Sequence, residues 1–466
     1  MKISTRRIPV ILTVAASLLV LMLIIAAFTS IYSDSAAGYL TYEGGNGGVI
    51  ITGIKDKNRP MILIPATIGG KTVTAIGNNA FENCTNLTFV KIPRTVTTIG
   101  NNAFFGCSNL EEVDIETYAN TKIIGNGAFA GCTSLTTITI PSSVTVIGNN
   151  AFSGCSKLEK LDTEKLTSIK LIGAYAFSNC TSLKSLAFYG PVREVGQCAF
   201  AGSSALESLR LPDSLEILGK DAFQGCTNLT DLTMPHLYRD YQSYPMPENL
   251  KKLTLKKKLD SINRAAFHSL TKLEEIHIDF PALIRQDAFS GHPSLVSATV
   301  TATEIRKEAF ANCEKLEQVT LTGIWLETLS EGAFKNCTKL TSLTLPESLK
   351  TIGSYAFENC RSLYDLELNR VSVSEFAFSG CQSLKSLRID RTTIGKHAFE
   401  GCSDLGIVFI SIDGGEIEEY AFLGCNLSAV IFEGTKDDLQ SLTLHENWNL
   451  LDPDNDRVVR LSYTPS

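Results

Sequence analysis

The stretch LTTITIPSSVTVIGNNAFSGCSKL, Leu135 to Leu158, decides the fold. At its centre stands an aliphatic residue, Ile147, then three residues, Ala151-Phe152, two more residues and Cys155. Ala-Phe returns at Ala80, Ala103, Ala128, Ala176, Ala199, Ala222, Ala266, Ala288, Ala309, Ala333, Ala356, Ala377, Ala398 and Ala421, fifteen copies in all. Their spacing is 21 to 25 residues, with one double gap of 44 between Ala222 and Ala266. A period of about 20–29 residues marks a stacked solenoid, in which each coil buries its apolar face only against its neighbours.

Each position in the repeat has a physical reason. Leu135, Ile138 and Ile140 alternate with Thr137 and Thr139 as in a short strand with one buried face. Pro141, like Pro93, Pro212 and Pro346, ends that strand because it lacks a ladder donor. The aliphatic residue before the usual Gly is present in all fifteen copies and predicts a second inward row. The residue before the Cys position is Gly or Asn in fourteen copies, with Ser269 the exception, which predicts a left-handed corner. Leu stands three residues past the Cys position in fourteen copies and opens the next strand.

This pattern, Ile-Gly-x-x-Ala-Phe-x-x-Cys-x-x-Leu, resembles the BspA-like leucine-rich repeats of microbial surface proteins over roughly Val73 to Phe432. The resemblance implies a leucine-rich repeat arc, with a parallel sheet on its concave face and short strands, turns or helical turns on its convex face. It also implies adhesion or protein binding at a cell surface, with no catalytic site and no cofactor.

The chain divides accordingly. Residues 1–7 form a basic segment with Lys2, Arg6 and Arg7, and Ile8 to Ile31 follow without a charge. Those 24 residues span about 36 Å as a helix, enough for a hydrocarbon core of about 30 Å. They are expected to act as a membrane anchor, with a cleaved signal sequence as the alternative, leaving the amino terminus inside and the repeats outside. Residues 38–72 are expected to form a β cap, 73–432 the solenoid, and 433–466 the closing cap. The double gap is read as one degenerate repeat with an irregular loop, within 235–260.

Net charge is −7, which argues against a nucleic-acid surface. Twelve of the thirteen Cys share one repeat position, which Ser203, Leu270 and His292 occupy in the other copies. A position that accepts Leu is apolar and buried, so the row reads as structural thiols; only Cys198 lies off it. No metal or catalytic motif emerges. Asp452 to Asp456 imitates the first ligands of a calcium loop, but Arg457 stands where the loop needs Gly. Of the six His, only His236, His268, His277 and His292 are spaced to meet, and no metal site is expected of them. Asn83-Cys84-Thr85 and Asn336-Cys337-Thr338 are formal glycosylation sequons that the repeat generates by itself.

The outward strand positions, running from Lys91 and Asp114 to Glu367 and Arg388, are Thr-rich and carry no aromatic or single-charge stripe. The local departure is the irregular loop, where Tyr238, Tyr241 and Tyr244 lie beside Lys251, Lys252, Lys256, Lys257 and Lys258. Aromatic residues with a basic rim suit a protein contact, so these eight are the candidate partner-binding residues, the alternative being an unstructured loop beside a solvated Lys cluster. The expected function is a non-enzymatic surface protein that binds a protein or cell-surface ligand. A structural spacer is the alternative, and a glycan-processing enzyme has no stretch long enough for a separate catalytic domain.

Overall fold

The computed structural model describes residues 38–45, 47–116, 119–161, 163, 165–235, 246–257, 261–264, 267–411, 415–433, 442–452, 457–458 and 461–463. The chain divides into two compact units, one ending at Asn228 and the other beginning at Leu229. Both are built from parallel coils.

In the first unit the alternating segments pair in register as a parallel sheet: Met61–Leu63, Phe89–Ile92, Glu112–Ile115, Thr137–Ile138 and Lys160–Leu161. Val90, Ile92, Val113 and Ile138 point inward and are buried. The aliphatic row forms a second parallel sheet of short strands, among them Thr98–Ile99, Ile123–Ile124, Val146–Ile147 and Leu171–Ile172. Gly48–Ile54 adds in parallel to Lys71–Ile76 at the head of this sheet and pairs antiparallel with Leu40–Gly45. This hairpin covers the first coil, which would otherwise expose an open edge.

The third side of each coil is a run of turns with its own cross-coil bonds. Phe81 donates its amide to Ala103 at 2.8 Å, and Asn83 donates to Phe105 at 2.7 Å. The fourteen Gly or Asn residues before the Cys position all have positive φ, as the composition predicts; Asn83, Gly154 and Asn336 have 57°, 75° and 60°. Ser269 is not among them.

A second left-handed residue precedes Ala-Phe in each described copy, for example Asn79, Asn102, Asn150, Tyr175, Glu308 and His397. Of the short strands, turns or helical turns expected on the convex side, the described residues show short strands and turns, with one 3-10 position at Arg264. Between the two left-handed residues only single turns close, such as the Ser153 amide to Asn150 at 3.0 Å and the Cys155 amide to Phe152 at 3.1 Å. Each left-handed residue reverses the chain before a second helical bond can form.

In the second unit Asp231–Met234, Lys252–Leu255, Glu275–Ile284 and Ser297–Ile305 pair in parallel. The degenerate repeat therefore keeps its strand. Asp365–Asn369, Ser386–Asp390, Ile407–Ile410 and Ala429–Phe432 continue as a separate sheet, to which Leu461–Tyr463 adds in parallel. Thr443–Leu444 extends the aliphatic row past Gly415–Ile417.

Inside both units the Phe rings stack coil on coil. Phe104, Phe129, Phe152 and Phe177 lie 5.2 to 5.4 Å apart between centroids, with planes within 7°. In the second unit the row from Phe289 to Phe399 is equally regular, at 4.7 to 5.3 Å. Phe188, which follows the strand Ser185–Ala187, tilts against both Phe177 and Phe200, and those two rings stand 6.0 Å apart. Among the described residues no helix is long and apolar enough to cross a membrane, and the expected anchor at residues 8–31 lies outside them.

Candidate interaction surfaces

The strand face is a surface that packing leaves free, because alternate side chains point away from the coil. Its rows are in register. In the first unit Lys91 lies beside Asp114 and reaches it at 3.7 Å. In the second, Thr254, His277, Thr299, Thr320 and Thr344 form one row. Cross-coil contacts such as the 2.8 Å bond between the Thr301 and Thr322 hydroxyls hold this surface in place.

One row changes character. Glu367 aligns with Arg388, Arg388 with Phe409, and Phe409 with Ile431. Ile407 and Ala429 are the next pair on the same face, and all four apolar side chains are partly exposed. The Arg388 guanidinium lies 5.4 Å from the Phe409 ring centroid and pairs with Glu433, two coils further on. An apolar patch is thus held under a charged clasp. The outward reading of the sequence ends at Arg388 and misses it; the signal was aromatic Phe409 at a position where other coils carry Thr.

Of the eight candidate partner-binding residues, Tyr238, Tyr241, Tyr244 and Lys258 lie outside the described residues. Lys251 pairs with Glu274 at 2.9 Å, Lys252 with Glu275 at 3.3 Å, and Lys256 with Asp279. These three charges are balanced by the following coil, so they form no free basic rim. Lys257 follows them, exposed, at the end of the strand.

The thiol row is buried, and all thirteen cysteines are free. Eleven of the twelve row cysteines donate Sγ–H to the Phe carbonyl of the preceding coil, Cys107 to Phe81 at 3.1 Å and Cys337 to Phe310 at 3.2 Å among them. Ser203 makes the same bond to Phe177 at 2.7 Å. Burial pushes Cys107, Cys180, Cys226 and Cys313 up to about 12, so these thiols are neither nucleophiles nor ligands at neutral pH. Cys198 occupies the second left-handed position, with φ 52°.

His292 replaces a row cysteine. Its Nε2 contacts the Leu270 carbonyl at 3.1 Å and its Nδ1 accepts from the Leu295 amide at 3.2 Å, an arrangement of the neutral ring. Burial lowers its pKa. No group of three or more His, Cys, Asp or Glu residues able to hold a metal occurs among the described residues. The sequon asparagines are structural: Asn83 takes the left-handed corner, and Asn336 donates Nδ2–H to Asn312 at 2.9 Å. Of the calcium-like run, residues 453–456 lie outside the described residues.

Sequence reading also misses two ladders. Asn78, Asn101, Asn126 and Asn149 each accept, through Oδ1, the amide of the next coil at 2.8 Å. Tyr355, Phe376, His397 and Tyr420 stack at 5.3, 4.8 and 5.3 Å along the second left-handed position. Phe376 and His397 are thereby covered on both faces by their neighbours.

The description "BspA type Leucine rich repeat region (6 copies)" matches residues 66–171, 164–245, 239–364 and 327–450. The chain belongs to this family. Among curated proteins nothing matches significantly. Among solved structures, a leucine-rich repeat protein from Bacteroides ovatus is 24% identical, with 92% of this chain and 98% of that chain covered and a TM-score of 0.33. A leucine rich cell surface protein from Faecalibacterium prausnitzii is 22% identical, with 87% and 96% covered and a TM-score of 0.34. At these scores the superpositions are too loose to carry a structural argument.

Proposed function

We propose that this member of the BspA-type leucine-rich repeat family is a non-enzymatic display scaffold that binds a protein partner through its strand face. The observation that carries the reading is the row Arg388, Phe409, Ile431, where an otherwise Thr-rich and ion-paired surface turns apolar under an Arg–Glu clasp. Partly exposed aromatic and aliphatic side chains beside an Arg are the composition of an interface centre. A plain spacer has no use for such a patch, and a row of Thr would have served it.

Display at a cell surface is part of the same proposal. It rests on Lys2, Arg6 and Arg7 ahead of the uncharged Ile8 to Ile31, which suit an amino-terminal membrane anchor with the repeats outside. The test is site-directed photo-crosslinking on intact cells. Benzoylphenylalanine in place of Phe409 should give a protein adduct, and the same group in place of Thr344, on the polar part of the face, should give none. Absence of an adduct at Phe409, or equal adducts at both positions, would overturn the reading.

A further inference from the structure

The edge where the strand sheet turns toward the aliphatic row carries a second feature. Four coils place polar residues at this corner after Pro: Arg94-Thr95, Ser142-Ser143, Asp213-Ser214, Glu347-Ser348. One coil instead carries Gly323-Ile324-Trp325, and Ile324 and Trp325 are 77% and 52% exposed. Gly323 has φ 107°, a value that L side chains rarely adopt, and it turns the pair outward. The turn is fixed at its base: the Ser348 hydroxyl lies 3.2 Å from the Gly323 carbonyl and 2.8 Å from that of Leu326, which is fully buried. Two large apolar side chains thus stand in water on an anchored turn.

Beside this turn the edge steps inward. From the last apolar strand residue to the aliphatic row takes seven residues at Leu345 to Ile352 but five at Leu368 to Val373 and at Ile389 to Ile394. The step leaves a cleft of about 450 Å³ between the longer corner and the two shorter ones. Pro346, Leu349 and Val371 supply its apolar wall. Glu347, Glu367 and Asp390 bring three carboxylates to it, against one guanidinium, Arg370. Arg388, in register with Glu367, is already paired with Glu433.

We infer that Ile324, Trp325 and this cleft form a docking site for a short extended segment of a protein partner, one with a Lys or Arg next to an apolar side chain. Trp is the residue type that most often dominates binding energy, and here its turn is bonded through Ser348 to the corner that walls an acidic notch, which a cation would neutralise. A second copy of this chain fits poorly, because each copy carries a net charge of −7. Two exposed side chains and one notch also fall short of the roughly 800 Å² per partner that a stable interface between folded proteins buries. Only the premise of a protein ligand is shared with the proposed function; the residues are different.

The test selects a phage-displayed random dodecapeptide library on the full chain. Enriched peptides should carry Lys or Arg within two positions of an aliphatic or aromatic residue. A synthetic peptide of the enriched sequence should bind at least tenfold more weakly to the Ile324→Ser/Trp325→Ser variant, and severalfold more weakly to Glu347→Gln. It should bind unchanged to Phe409→Ser/Ile431→Ser. All substituted side chains are at least partly exposed, and unchanged thermal unfolding verifies the fold. No enrichment, acidic peptides, or equal binding to the Trp325 variant would overturn the edge site. Loss only in the Phe409 variant would also overturn it while leaving the strand-face reading intact.

Discussion

The Cys132 thiol donates to the Phe104 carbonyl, 3.2 Å away on the preceding coil. That contact joins the two most regular rows of the repeat, and it explains a choice that packing alone does not. Ala would fit the buried space, but it would leave the Phe carbonyl without its cross-coil donor. Cys132→Ala should cost about 1–2 kcal/mol, from one neutral hydrogen bond plus the lost sulfur contacts. Cys132→Ser should cost less, because Ser203 makes the same bond at 2.7 Å. Denaturant unfolding of the two variants checks the order; equal losses would assign the row to packing alone.

The Phe stack predicts a dependence on position. Phe152 lies between Phe129 and Phe177, 5.4 Å from each, whereas Phe422 contacts Phe399 at 5.8 Å. Phe152→Ala should cost about 3–5 kcal/mol, since stacked coils cannot close the cavity. Phe422→Ala should cost less. Chemical denaturation of both variants measures the difference, and equal costs would contradict coupling between neighbouring coils.

His292 predicts a pH dependence. Its pKa is lowered from the ordinary 6.5 in the fold by burial, so below 6.5 the unfolded chain binds a proton that the folded chain refuses. Stability contributed by the neutral ring is present above 6.5 and is lost as pH falls below it. His292→Cys restores the repeat residue and should remove this part of the acid slope. Unfolding midpoints between about pH 7 and about pH 5 test it; parallel slopes for wild type and variant would contradict it.

Much of this fold was legible in the sequence, because fifteen copies separate what each position demands from what it tolerates. Fourteen Gly or Asn residues at one corner announced its left-handed geometry, and the buried thiols followed from Leu270 in their row. The second left-handed position was hidden. Asn, Gly, Tyr, Glu, Phe and His all occupy it, since cross-coil amide bonds hold the backbone there whatever the side chain is.

The surface was harder to read than the core. Outward positions carry no packing constraint, so Phe409 and Ile431 emerge only once register aligns them with Arg388. Ile324 and Trp325 look like two more apolar residues in a strand-rich sequence until Gly323 is seen to turn them into water. The lysines beside the irregular loop looked like a free basic rim because their acidic partners, Glu274, Glu275 and Asp279, lie a full coil away in sequence.

The central claim is that stacked coils, held by buried reduced thiols and Phe rings, leave the strand face and its edge free for display. The most direct measurement is a thiol count by alkylation and intact-mass analysis at about pH 8, before and after denaturation. Desolvation raises the row thiols above their ordinary range, and all thirteen cysteines are buried, so the native chain should take up almost no label. The denatured chain, kept from air oxidation, should take up thirteen. A denatured count near one would show the row paired into bridges and would contradict the account.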